Sequence, residues 1–143
     1  MTRSETPCFS NHAVAAPSSH AAETGARILT EGGNAIEAMI GMAATIAVVY
    51  PHMNAIGGDG FWLIRSPGGR VLGIEACGPA GSLATPRLYR DAGLEAICAR
   101  GPLAALTVAG TVGGWQRALG TARDAGGRLP LRILLEDAVR HAR

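Results

Sequence analysis

Between Ser18 and Glu31 the residues Ala21, Ala22, Gly25, Ile28 and Leu29 recur at the three- and four-residue spacing of one helix face, which predicts an amphipathic helix. Ser18 or Ser19 is placed to cap its start, and Gly32-Gly33 ends it. Asn34 then caps a second helix whose residues Ile36, Met39, Ile40, Ala43, Ala44, Ile46 and Ala47 leave hardly any polar face, so burial on most sides is expected. The run Ala35 to Tyr50 is uncharged apart from Glu37. It is shorter than the ~20 residues that cross a bilayer and is closed by Pro51, so it reads as a buried helix and not as a membrane span.

Beyond Pro51 the glycines of HMNAIGGDG rule out a continuing helix. Phe61 to Arg65 and Val71 to Ala76 are short β-prone runs joined by SPGG, a turn sequence that predicts an antiparallel hairpin. GPAGSLATPRLYRDAGLEA is turn-rich and then weakly helical, Leu103 to Val108 is predicted extended, and Thr111 to Arg123 is predicted helical. Pro130 suits the first turn of a last helix, on which Leu131, Leu134, Leu135, Ala138, Val139 and Ala142 share one face. That stripe has not faded at Arg143 and no cap follows, so the chain is expected to be cut at its C-terminus. The division expected is a polar tail at 1–17 and one structured portion at 18–143, with no internal repeat or linker.

Composition narrows the classes. Of 143 residues, 48% are hydrophobic and 17% charged, which suits a globular chain, while 4% aromatic residues against 20 glycines call for close backbone packing in place of large rings. The net charge of +2 is spread without a basic stripe, so nucleic acid is excluded as a partner. Cys8, Cys77 and Cys98 have neither metal-ligand spacing nor an even count, and are expected as reduced thiols. No secretory signal is seen in MTRSETPCFSNH, which points to the cytoplasm for the chain as written. His12 and His52 read as solvated or structural side chains, GGDG at 57–60 lacks the Lys-Ser or Lys-Thr of a phosphate loop, and Trp62 and Trp115 read as packing anchors. No metal or cofactor motif is present.

GGNAIEAMIGMAATIAVVYPHMNAIGGDGFWLI at 32–64 closely resembles the hallmark segment of gamma-glutamyltransferases. LATPRLY at 83–89, GPLAALTVAGTVGGW at 101–115 and GRLPLRILLEDAVRHAR at 127–143 resemble the family's next blocks in the same order. The resemblance implies an α+β chain that forms part of the αββα sandwich of N-terminal nucleophile hydrolases, and that corresponds to the N-terminal part of the large subunit. It implies a precursor that cuts itself to expose a threonine on a small catalytic subunit, so the partners expected are that subunit, from the same precursor or a separate chain, and a small amide or peptide substrate. Members of the family are often exported.

The implied activity is transfer or hydrolysis of a γ-glutamyl, glutathione-like amide, in which a terminal threonine hydroxyl attacks the carbonyl and its own amine acts as base. None of the threonines at 2, 6, 24, 30, 45, 85, 107, 111 and 121 begins a Thr-x-His motif, so the nucleophile is placed outside this chain, which alone is expected to be inactive. The resemblance places an arginine that binds the substrate α-carboxylate in the segment matching IEACGPAGSLAT at 74–85, at the position of Cys77, with Glu75 a second candidate contact. A thiol cannot form the bidentate fork of a guanidinium, which weakens glutamyl specificity and leaves open another acyl group, as in cephalosporin-acylase-like members. A cysteine nucleophile at Cys77 would need a neighbouring base or helix N-terminus. The remaining reading is a non-catalytic fragment or partner subunit.

Overall fold

The computed structural model describes residues 11–104 and 107–143. Cys8 and most of the expected polar tail lie outside the described residues. The element order is α1 (Ser19–Thr30), α2 (Ala35–Val49), β1 (Gly60–Arg65), β2 (Val71–Ala76), α3 (Pro86–Asp91), a 3-10 turn (Pro102–Ala104), α4 (Thr111–Asp124), α5 (Leu131–Leu134) and α6 (Glu136–His141). The architecture is α+β, as expected. Two compact units divide the described residues, one running up to Asn54 and resuming at Leu119–Arg143, the other Ala55–Ala118.

In the first unit α1 and α2 pack as an antiparallel pair over Ile28 and Ile40, both fully buried, with Met42 and Ala44 nearly so. The helices approach closely because Gly41 carries no side chain: a Cβ there would overlap Ile28 Cδ1 and lie 2.9 Å from the Leu134 carbonyl. Thr24 and Thr45, both buried, pair through their hydroxyls at 3.1 Å. α1 ends as its glycines predict, with Gly32 left-handed at φ 89° and the Gly33 amide donating to the Ile28 carbonyl. The α2 face is less covered than its composition predicts: Met39 is 47% exposed, and Ile46, Ala47, Val48 and Val49 are half-buried. Only one side of α2 meets α1, α5 and α6. Among the described residues no helix is long and apolar enough to cross a membrane.

Glu37, the single charge of that apolar helix, is the hub of this unit. Asn34 caps α2 by accepting from the Ile36 and Glu37 amides, and Glu37 Oε2 accepts in return from the Asn34 amide at 3.0 Å. Its Oε1 accepts from the Leu129 amide at 2.9 Å and from Arg123 Nη1 at 3.1 Å. One fully buried carboxylate thus joins the start of α2 to the end of α4 and the segment leading into α5.

The last helix is not continuous. Pro130 is the N-cap of α5 instead of its first-turn residue, and Leu135 interrupts the run before α6. Arg27 of α1 meets the chain at this break: its Nη2 donates to the Ile133 carbonyl, which an unbroken helix would offer to the amide four residues on, and its Nε donates to Asp137 at 2.8 Å. The predicted apolar stripe is therefore only partly buried, Leu134 and Ala138 inside and Leu131 and Val139 about half exposed.

Burial opposes ionisation of Asp137, but the hydrogen bond and charge of Arg27, with Arg140 adding to them, hold its carboxyl below the usual range. A depressed folded-state value means that this stabilisation is present above the unfolded pKa and is lost as pH falls through the folded one. Asp137→Asn is expected to remove about 1–3 kcal/mol at neutral pH. Urea unfolding at pH 7 and pH 3 checks it, the difference between the two proteins shrinking in acid.

In the second unit β1 and β2 pair antiparallel with Gly60 opposite Ala76 and Arg65 opposite Val71, closed by a Ser66–Arg70 turn, as predicted. The extended segment expected from Leu103 to Val108 is corrected at its start, residues 105 and 106 lie outside the described residues, and its end does bridge. Pro102–Ala104 form a 3-10 turn with the Ala104 amide on the Gly101 carbonyl, since Pro102 has no amide for a ladder and Gly101 turns at φ 94°. Thr107 bridges Ala80, and the Val108 amide donates to the Pro79 carbonyl.

Candidate functional site

The end of β2 carries Glu75 and Cys77 on one side of the strand, with Ala76 between them buried. Glu75 is exposed and Cys77 half-buried. The ladder ends at Gly60 opposite Ala76, with Asp59 just before β1 and Cys77 just after β2. The charges of Asp59 and Glu75 both act on the thiol, so an acid, a second acid and a thiol are gathered at this strand end.

The backbone of residues 108–111 runs against this strand end. Gly110 has no room for a side chain: a Cβ would overlap the Ala76 carbonyl. The Gly110 and Thr111 amides, at the start of α4, both donate to the Gly58 carbonyl at 3.0 Å, and the buried Thr111 hydroxyl donates its one proton to it at 2.7 Å while lying 3.3 Å from the Ala55 carbonyl. The α4 N-terminus is therefore capped by the chain itself. Trp62, half-buried, lies over Gly114, whose Cβ would come within 3.3 Å of the indole nitrogen. It is a packing side chain, as its sequence context predicted.

Burial pushes the Cys77 thiol up from its ordinary value, and the charges of Asp59 and Glu75 push it the same way. The thiol is protonated at neutral pH, the opposite of what activates a cysteine nucleophile. Cys77 and Cys98 are both free. His12 and His52 are exposed, the latter resting on the Tyr50 ring at 4.1 Å between centroids. Among the described residues no group of three His, Cys, Asp or Glu side chains could hold a metal ion. A separate groove of about 760 Å³ runs along α3 past Pro86, Tyr89, Leu94 and Ile97, and none of Asp59, Glu75, Cys77 and Thr111 lines it.

Sequence reading found Glu75 and Cys77 but passed over Asp59 and Thr111. Asp59 was hidden in a glycine-rich turn, and only the fold brings its charge to Cys77. The Thr111 contacts span more than fifty residues, and no local pattern announces them.

Comparison with known proteins decides the family. The gamma-glutamyltranspeptidase family model matches residues 21–143. The chain belongs to the gamma-glutamyltranspeptidase family. It is 57% identical over 135 residues to the oxamate amidohydrolase proenzyme of Klebsiella pneumoniae, a match covering 93% of this chain and 25% of that protein. It is 39% identical over 126 residues to the glutathione hydrolase-like YwrD proenzyme of Bacillus subtilis, covering 87% of this chain and 23% of the relative. Among solved structures, the gamma-glutamyltranspeptidase of Helicobacter pylori superposes with a TM-score of 0.80 at 28% identity, over 95% of this chain and 38% of that one. The fold is that of part of an N-terminal nucleophile hydrolase, and this chain spans about a quarter of the length of the curated relatives it matches.

Proposed function

We propose that this gamma-glutamyltranspeptidase-family chain is the N-terminal part of an amidohydrolase proenzyme whose substrate is a short amide of the oxamate type and not a γ-glutamyl peptide. The observation that carries this reading is the strand end itself. Residues 71–85 contain no arginine or lysine, and the side chains gathered there are Asp59, Glu75 and a protonated Cys77. A γ-glutamyl donor presents an α-carboxylate several bonds from the scissile carbonyl, which needs a cation with paired donors there, where two carboxylates repel it; the carboxylate of oxamate sits on the scissile carbonyl itself and does not reach that place. The 57% identity to a protein named for oxamate, against 39% to a glutathione hydrolase-like one, points the same way.

The chemistry belongs to a threonine outside residues 1–143, because none of the chain's threonines begins a Thr-x-His motif. Cleavage of the precursor exposes that threonine on a small subunit. Its hydroxyl adds to the amide carbonyl while its amine takes the proton, the C–N bond breaks, ammonia leaves with that proton, and water releases the acid from the acyl-enzyme. This chain contributes scaffold and one wall of the acyl pocket, and is inactive by itself.

Returning an arginine to the strand end, as Cys77→Arg or Glu75→Arg in the polypeptide expressed with its downstream reading frame, tests the specificity. At least one of them is expected to lower KM for a γ-glutamyl anilide by about tenfold, the worth of a charged hydrogen bond. No gain from either arginine would contradict the assignment of this wall to the acyl group.

A further inference from the structure

We propose that Thr111 is a positioning residue of this wall, holding the Gly58–Gly60 turn so that Asp59 stands beside Cys77. The inference rests on reading the strand end as the surface that faces the acyl group.

The Gly58 carbonyl has two lone pairs and receives three donors, the Gly110 amide, the Thr111 amide and the Thr111 hydroxyl, the last being the shortest at 2.7 Å. The same hydroxyl lies 3.3 Å from the Ala55 carbonyl, whose own turn is closed by the Gly58 amide. One side chain thus holds the Gly58 end of the Ala55–Gly58 turn by a short hydrogen bond, with the Ala55 carbonyl beside it. Asp59 is the next residue, and Gly60 after it is locked into the ladder opposite Ala76. Held on one side by Thr111 and on the other by the sheet, the Asp59 backbone has little freedom, and its carboxylate stays beside the half-buried thiol. The titratable groups that face Cys77 are Asp59, just before β1, and Glu75, at the end of β2; residues 108–111, packed against it, are Val-Ala-Gly-Thr and carry no charge.

A valine at 111 keeps the shape of threonine and removes the hydroxyl, while a serine keeps the hydroxyl. The readout is iodoacetamide alkylation of Cys77 as a function of pH, followed by mass spectrometry of the peptide that carries it, which isolates this thiol from all others. In Asp59→Asn the midpoint is expected to move down toward the ordinary thiol value and the rate at pH 8 to rise severalfold. Thr111→Val is expected to shift the profile in the same direction, Thr111→Ser to keep the native profile, and the Asp59→Asn, Thr111→Val double variant to move no further than Asp59→Asn alone. A native profile in Thr111→Val, or a full additional shift in the double variant, overturns the proposal. So does loss of the folded state in Thr111→Val, read by far-UV circular dichroism, because the hydroxyl would then serve the fold alone. No turnover is needed, so failure of the oxamate-type reading and failure of this positioning role are seen separately.

Discussion

Glu37→Leu is expected to destabilise the folded chain by about 2–5 kcal/mol, the effect of leaving two backbone amides and a guanidinium without their buried acceptor. Leucine fits an apolar helix better than glutamate does by composition alone, so a reading of α2 as a hydrophobic rod predicts a gain. The geometry predicts the reverse. Glu37 is fully buried, and its loss leaves the Asn34 and Leu129 amides and the Arg123 guanidinium without their acceptor. Against the 5–15 kcal/mol that usually separates folded from unfolded states, that is a large share. Arg123→Ala is expected to cost only about 1 kcal/mol, because its side chain is 38% exposed and solvent screens it. The midpoints of urea unfolding for the two variants measure the contrast, and equal midpoints would show that the carboxylate is not the hub.

The second large effect is on substrate choice. If the wall formed by Asp59, Glu75 and Cys77 faces the acyl group, a γ-glutamyl donor loses its carboxylate partner and meets negative charge instead. Truncating one partner of a buried, hydrogen-bonded charge pair costs about 2–5 kcal/mol, which corresponds to roughly 30-fold to several thousand-fold in kcat/KM. The expected result is a preference of at least about thirtyfold for oxamate over a γ-glutamyl anilide. The carboxylate of oxamate sits on the scissile carbonyl itself and does not extend to this wall, so its turnover escapes the penalty.

The parts of the fold that sequence made legible are those governed by local chemistry. Ser18, Asn34 and Gly32-Gly33 mark helix ends whatever surrounds them, and SPGG closes a hairpin between two β-prone runs. What sequence hid depends on partners far along the chain. Glu37 looked like an isolated charge until Leu129 and Arg123 were folded against it. The unbroken stripe from Leu131 to Ala142 predicted one helix, but the run breaks at Leu135, where Arg27, more than a hundred residues away, donates to the Ile133 carbonyl. At the candidate site the sequence offered Glu75 and Cys77, with no arginine or lysine among residues 71–85. The fold was needed to add Asp59, and the hydrogen bonds of Thr111 to show what holds it.

The most direct test offers the polypeptide expressed with its downstream reading frame an equimolar mixture of oxamate and a γ-glutamyl anilide, and follows ammonia and free aniline together. Ammonia release from oxamate with little or no aniline would be the signature of a strand end built without a cation. Aniline release that equals or outpaces ammonia would contradict it, and would require that a cation elsewhere in the folded enzyme binds the glutamyl carboxylate.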